Sequence, residues 1–225
     1  MRRMIWPLLF GVAGVAVLLS LGVWQVQRLH WKEGVLAAMR AELSAPPGVL
    51  PGIPDPAVHN YLPVTVAGRY LPGEVHVLTT RQGRGPGYRI VAPFETSGGR
   101  RILIDRGFVP ERMKDAPRPP APARITGNLH WPDDLDETFT PDPDTGRNIW
   151  FARQVAPMAA ALGTEPVMLV LRQGSGAPPE VEPWPVDTSS IRNDHLNYAI
   201  TWFSLAVLWA GMTGYLLWRI RRQTV

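Results

Sequence analysis

Two uncharged apolar runs, 5–26 and 199–218, bracket this chain and constrain its fold more than any other feature. A helix rises about 1.5 Å per residue, so each run can cross roughly 30 Å of hydrocarbon. Of the nine tryptophans, Trp6, Trp24, Trp202 and Trp218 fall near the run ends, where an indole keeps one edge wet. Two transmembrane helices are expected, with a polar domain between them. Arg2 and Arg3 precede the first run, as they would in a signal peptide. That run is longer than a signal core, however, and Leu21-Gly22-Val23-Trp24 offers no small-x-small cleavage site, so an uncleaved anchor is expected.

Orientation follows from the flanks. Arg2 and Arg3 lie before the first run, and Arg219, Arg221 and Arg222 follow the second. The positive-inside rule then puts both termini in the cytoplasm, as expected of a multi-pass protein of the bacterial inner membrane, and the central domain in the periplasm. Arg28 and Lys32 argue mildly against this, but they begin a long translocated segment, which obeys the rule weakly. The expected organisation is a cytoplasmic N-terminus (1–4), a first span (5–26), a helical extension (27–45), a periplasmic β-rich domain (46–197), a second span (198–218) and a cytoplasmic basic tail (219–225).

The net charge of +4 sits largely on those flanks, so it reports membrane orientation rather than a nucleic-acid surface. Cysteine is absent, which excludes disulfides, thiolate metal sites and a thiol nucleophile. The domain must be held by its core.

Prolines 46, 47, 51, 54 and 56 end the helical extension and favour extended chain. From residue 61 the pattern changes to short runs of period near two: 61–70, 74–80, 88–96, 101–109, 124–131 and 167–172. Leu71-Pro72-Gly73, the glycines at 83, 85 and 87, and Ser97-Gly98-Gly99 punctuate them. The spacing predicts a mostly antiparallel sheet, curled or barrel-like, with one short helix over 151–162, giving an α+β membrane protein. Pro178-Pro179 and Pro183-Trp184-Pro185 read as a stiff lead into the second span.

The densest chemistry lies in Arg192-Asn193-Asp194-His195-Leu196-Asn197-Tyr198, at the mouth of the second span. On a helix His195 shares a face with Tyr198, Trp202 and Trp209. A lone imidazole there can hydrogen-bond lipid headgroups, which is the plainer reading. It can also serve as a metal ligand, with Asp194 or Asn197 orienting the ring. The first span ends in a matching collar: Trp24, Gln25, Arg28, Trp31 and Lys32. Trp24, Arg28 and Trp31 form one stripe, and in an antiparallel helix pair this collar shares the depth of His195. A ring stacked by tryptophan, ligated by His195 and anchored through carboxylates by Arg28 suits a haem; a belt of aromatics with snorkelling cations explains the same residues.

Elsewhere, Asp105-Arg106-Gly107 and the cluster Arg81, Arg84 and Arg89 read as an anion or partner contact or, more plainly, as a charged hairpin tip. The acidic run 133–144 lacks the spacing of a calcium loop and reads as solvated. No nucleophile or metalloprotease motif is present, so a conventional enzyme is not expected.

Five motifs carry a resemblance: Leu21-Gly-x-Trp24-Gln25-x-x-Arg28-x-x-Trp31-Lys32; Tyr61-x-Pro63-Val64 leading to Gly68-x-Tyr70; Gly87-Tyr88-x-x-x-x-Pro93; Arg106-Gly107-x-Val109-Pro110; and Asn193-x-His195-Leu196-x-Tyr198-Ala199-x-Thr201-Trp202. Together, and nearly end to end, they resemble the surfeit locus protein one (Surf/Shy) family of cytochrome c oxidase assembly factors. The resemblance implies a factor, not an enzyme, that handles haem a transiently and aids its insertion into the oxidase. The cofactor-contact residues it favours are His195 (as metal ligand), Tyr198, Trp202, Trp24 and Arg28. The expected partners are the catalytic subunit of the oxidase, haem a synthase and membrane lipid. The alternative is a structural scaffold that holds oxidase subunits without touching haem. Asp105 stands where the family usually has Asn, and Phe108 where Trp is usual, so no polar role at position 105 carries over.

Overall fold

In a computed structural model, which describes residues 2–174, 181–189 and 191–223, the chain divides into two units. The first comprises residues 1–39 and 188–225, the second residues 40–187.

The first unit is a helix pair. Helix α1 (Arg2–Leu43) runs unbroken from the first apolar run through the expected extension, and α4 (His195–Arg222) contains the second run. Both are long and apolar enough to cross a membrane. Their closest approaches descend α1 while ascending α4, so the two are antiparallel. A Cβ on Gly22 would lie 2.6 Å from Phe203, one on Gly14 2.3 Å from Trp209, and one on Gly11 2.1 Å from Thr213. Helices in lipid gain little from burying apolar surface against each other, so close backbone approach at small residues supplies the packing. Ala199 and Ala206 are the buried residues of α4, and Phe10 packs on Trp209 with ring centroids 5.5 Å apart.

The second unit is a closed barrel. Strands β1 (Pro63–Tyr70), β2 (Val75–Arg81), β3 (Gly85–Thr96), β4 (Arg101–Pro110), β5 (Pro122–Leu129), β6 (Ile149–Trp150) and β7 (Met168–Gly174) form one sheet in the order β1-β5-β7-β4-β3-β2-β6. Pairing of β1 with β3 closes the first five strands on themselves, and β2 with β6 extends beyond the closure. Most pairs are antiparallel, as the period-two pattern predicts; β4–β7 and β2–β6 are parallel. Alternation places Phe94, Ile102, Ile104, Ile125, Leu169 and Leu171 inside the barrel. The intervening Val91, Leu103 and Met168 face a second core with Val75, Val77 and Met158. Strands β3 and β4 are therefore buried on both faces.

Two local expectations are corrected. The predicted helix over 151–162 starts later, as α3 (Val155–Leu162). Pro157 explains the difference: it has no N–H to donate, which the first turn tolerates and the second does not. The left-handed Gly163 (φ 64°) ends the helix, donating its N–H to Ala159 O. The proline-rich stretch is not wholly extended, because Pro56–His59 forms a short helix, α2. Asp55 caps it by accepting from Ala57 N at 2.8 Å, with Pro56 as first helical residue. That Asp-Pro pair was the available sequence signal. The Pro178-Pro179 lead lies outside the described residues. Glu182 bridges Phe108 of β4, exchanging both backbone hydrogen bonds with it.

Candidate functional site

The polar collar belongs to the helix pair. His195 opens α4, and its Nδ1 lies 2.7 Å from Oε1 of Gln25 on α1. Gln25 is only 8% exposed, whereas its neighbour Trp24 is 46% exposed. About two turns further along α1, Lys32 Nζ donates to the Arg192 carbonyl, so two α1 side chains fasten the entry to α4. The Asn193 side-chain oxygen is buried without a hydrogen-bond partner among the described residues.

The five sequence-predicted residues are arranged unequally about this point. His195 is half-buried, at the seam. Trp202 is also half-buried, while Tyr198 is 56% exposed, because Ala199 rather than Tyr198 faces α1. Arg28 lies over the Trp24 ring at 5.7 Å and over the Trp31 ring at 5.4 Å, so this stripe engages itself along one exposed face of α1. The groups suggested as orienting the imidazole do not do so. Asp194 pairs with Arg192 at 2.9 Å, and Asn197 is exposed on α4. Gln25 takes that position. The sequence does carry a signal for it, a long amide in an otherwise apolar span, but no local rule pairs it with a residue so distant in the chain.

The chemistry of this arrangement is that of one ring with one committed nitrogen. An amide oxygen only accepts, so a ring nitrogen that faces it is the protonated one, and in the Nδ1–H form the lone pair falls on Nε2. Nε2 can bind a metal.

The barrel's charged residues prove structural. Asp105 is fully buried: Oδ2 accepts from Arg89 Nε at 2.8 Å and lies 3.5 Å from Arg153 Nη1, while Oδ1 accepts from Gly107 N at 3.1 Å. A polar role at position 105 therefore exists. Burial pushes the Arg89 guanidinium down from its ordinary range, and the charge of Asp105 opposes the shift. Arg106 is buried too, 4.2 Å over the Tyr70 ring. The hairpin-tip reading holds only for exposed Arg84, whose guanidinium pairs with Glu182 at 3.1 Å. Burial alone would raise the Glu74 carboxyl, yet hydrogen bonds from His76 and Arg118 together with their charges hold it at about 2. His130 is lowered to about 4 by burial and by the charge of Arg153. In the acidic stretch Asp134 pairs with Arg153 at 2.6 Å, and no cluster of His, Asp and Glu suited to a metal occurs among the described residues.

Known proteins match this arrangement nearly end to end. The model of the SURF1 family matches residues 12–207. Surfeit locus protein 1 of Xenopus tropicalis is 31% identical over 214 residues, covering 83% of this chain and 67% of that protein. The human protein of the same name is 32% identical over 213 residues, covering 83% and 69% respectively. A SURF1-like protein of Rickettsia conorii is 30% identical over 219 residues, covering 93% and 89%. The matched span takes in Gln25 and His195, the barrel strands between them, most of α1 and the first part of α4, and on that agreement the chain belongs to the SURF1 family.

Proposed function

We propose that this protein is an assembly factor for a haem-a-type cytochrome c oxidase, binding haem a through His195 and aiding its insertion into the catalytic subunit. The observation that supports this is the seam itself, where Nδ1 of His195 is held by Gln25 and Nε2 is left to bind a metal. The donor set fits. A neutral imidazole would suit haem iron as a ligand, and the exposed Arg28 fork, flanked by Trp24 and Trp31, would pair with a propionate. When bound, haem a would supply the iron that His195 holds. The chain's own contribution is to present one ligand at the depth where an apolar tail enters lipid and propionates stay in water. A single ligand suits a cofactor that must be passed on. Tyr198 and Trp202 would flank the ring from α4. The protein so acts by binding rather than by catalysis, with the oxidase subunit, haem a synthase and lipid as its partners.

The test is the absorption spectrum of the full chain, purified in detergent from cells that make haem a. His195→Ala should abolish or shift the haem bands while protein abundance in the membrane stays normal, and Arg28→Ala should weaken binding without changing the ligand set. An unchanged spectrum in His195→Ala would reject ligation and favour a scaffold that holds oxidase subunits without haem.

The reading places the protein in the bacterial inner membrane, with both termini cytoplasmic and the barrel periplasmic. It rests on Arg2, Arg3, Arg219, Arg221 and Arg222 flanking the spans. A reporter active only in the periplasm should stay silent when fused after residue 225; a signal there reverses the topology.

A further inference from the structure

We infer that Gln25 is the positioning residue of the collar: it holds His195 in the Nδ1–H form, so that Nε2 is the atom offered to a metal. The inference rests on the haem reading for the ligand, but the ring's tautomer stands on the geometry of the helix pair alone.

A long amide buried between two apolar helices costs free energy unless it is hydrogen-bonded. Gln25 is 8% exposed, its flanking Val23 and Trp24 are 50% and 46% exposed, and its acceptor oxygen meets the imidazole at 2.7 Å. The other polar side chain of that run, Ser20, bonds back to its own helix at Ala16 O, so it makes no comparable reach. Gln25 spends its polarity across the helix pair.

The contact is also held in register. Below it, the close approach of Gly22 to Phe203 leaves no room for the helices to slide together. Above it, Lys32 grips the Arg192 carbonyl three residues before His195. A ring held from two sides with Nδ1–H committed to an acceptor has one orientation and one free lone pair. This is how outer-shell partners act at metal sites: they fix the tautomer and raise the basicity of the ligating nitrogen. Asp194 pairs with Arg192 through Oδ2, and the ring's Nδ1 meets Gln25 instead.

The first measurement uses the metal-free full chain in detergent, with histidine labelled by nitrogen-15 and the His195 signals assigned by their loss in His195→Ala. The wild type and Gln25→Glu, which keeps an acceptor, should show the Nδ1–H tautomer. Gln25→Leu should move the population toward Nε2–H without lowering protein abundance. The second measurement titrates each variant with haem b. Gln25→Leu should lose about 10- to 100-fold in affinity, while Gln25→Glu should bind near wild-type strength with a lowered midpoint potential. A wild-type Nε2–H tautomer, which requires the amide NH2 to face the ring, overturns the inference. So does a Gln25→Leu protein with unaltered tautomer and affinity. An Nδ1–H ring in a protein that binds no haem in any form supports the positioning and rejects the haem reading, so the two failures are distinguishable.

Discussion

Gly68→Glu is expected to leave almost no folded protein in the membrane. Gly68 sits where β1 turns from one neighbour to the other, paired at once with Ala123 of β5 and Thr96 of β3. It is the residue at which the barrel closes. A Cβ there would lie 2.0 Å from the Glu95 carbonyl oxygen and 2.8 Å from the Thr96 Cα, both backbone atoms of the partner strand. Backbone in a closed ladder cannot rotate away as a side-chain tip can. Relief therefore requires parting β1 from β3, which opens the core formed by Phe94, Ile102, Ile104 and Ile125. Even Gly68→Ala should cost about 3 kcal/mol, at the upper end of overpacking effects, out of a total stability of roughly 5–15 kcal/mol. Glutamate adds a charge beside that core. The check is the amount of protein in washed membranes, followed by thermal unfolding of whatever purifies. Wild-type accumulation of Gly68→Glu would show that closure at this corner is not needed for folding.

Asp105→Ala should destabilise the barrel by about 3–5 kcal/mol, the usual cost of removing one partner from a buried ion pair. The carboxylate is fully buried and serves Arg89, Arg153 and the Gly107 amide together. Arg153 keeps a second partner in Asp134, but among the described residues Arg89 would retain the Trp184 carbonyl at 2.5 Å and the Trp184 ring at 4.4 Å, both neutral. A buried guanidinium left with neutral partners is the source of the cost. Asn at position 105 keeps an acceptor for Gly107 and loses only the charge, so Asp105→Asn should fall well short of the alanine variant. Denaturant midpoints of the three proteins in one detergent decide it. Equal stability of Asp105→Ala and wild type would show that the cluster does not support the fold.

The residue at position 105 also shows where reading a sequence fails. A run such as Arg101–Pro110 announces a strand, and its turn residues announce hairpins, but nothing local distinguishes a buried aspartate from one at a solvated tip. Burial here comes from a second core on the outer face, built by Val75, Val77, Met158 and Leu103 from three separate segments. The same holds for β6, two residues long, which has no period of its own and exists because β2 offers it an edge.

Local patterns along the chain govern whatever depends on neighbouring residues. The two apolar runs specify helices because twenty or so apolar residues must satisfy their backbone internally in lipid. The alternation over β1, β3, β4 and β5 specifies strands with one face inward, and α3 is bounded by the missing N–H of Pro157 and the left-handed Gly163. Features that need segments to meet across long stretches of chain emerge in the packed fold. The β1–β3 pairing turned a curled sheet into a closed barrel. The parallel contact of β4 with β7 required a crossover whose direction no period encodes. The seam of α1 and α4 chose Gln25, rather than the adjacent Asp194 or Asn197, as the partner of His195. A helix's pattern names the face it will bury, but not the side chain that will stand opposite. That pairing is set by the register of two packed helices, and register is a property of the pair.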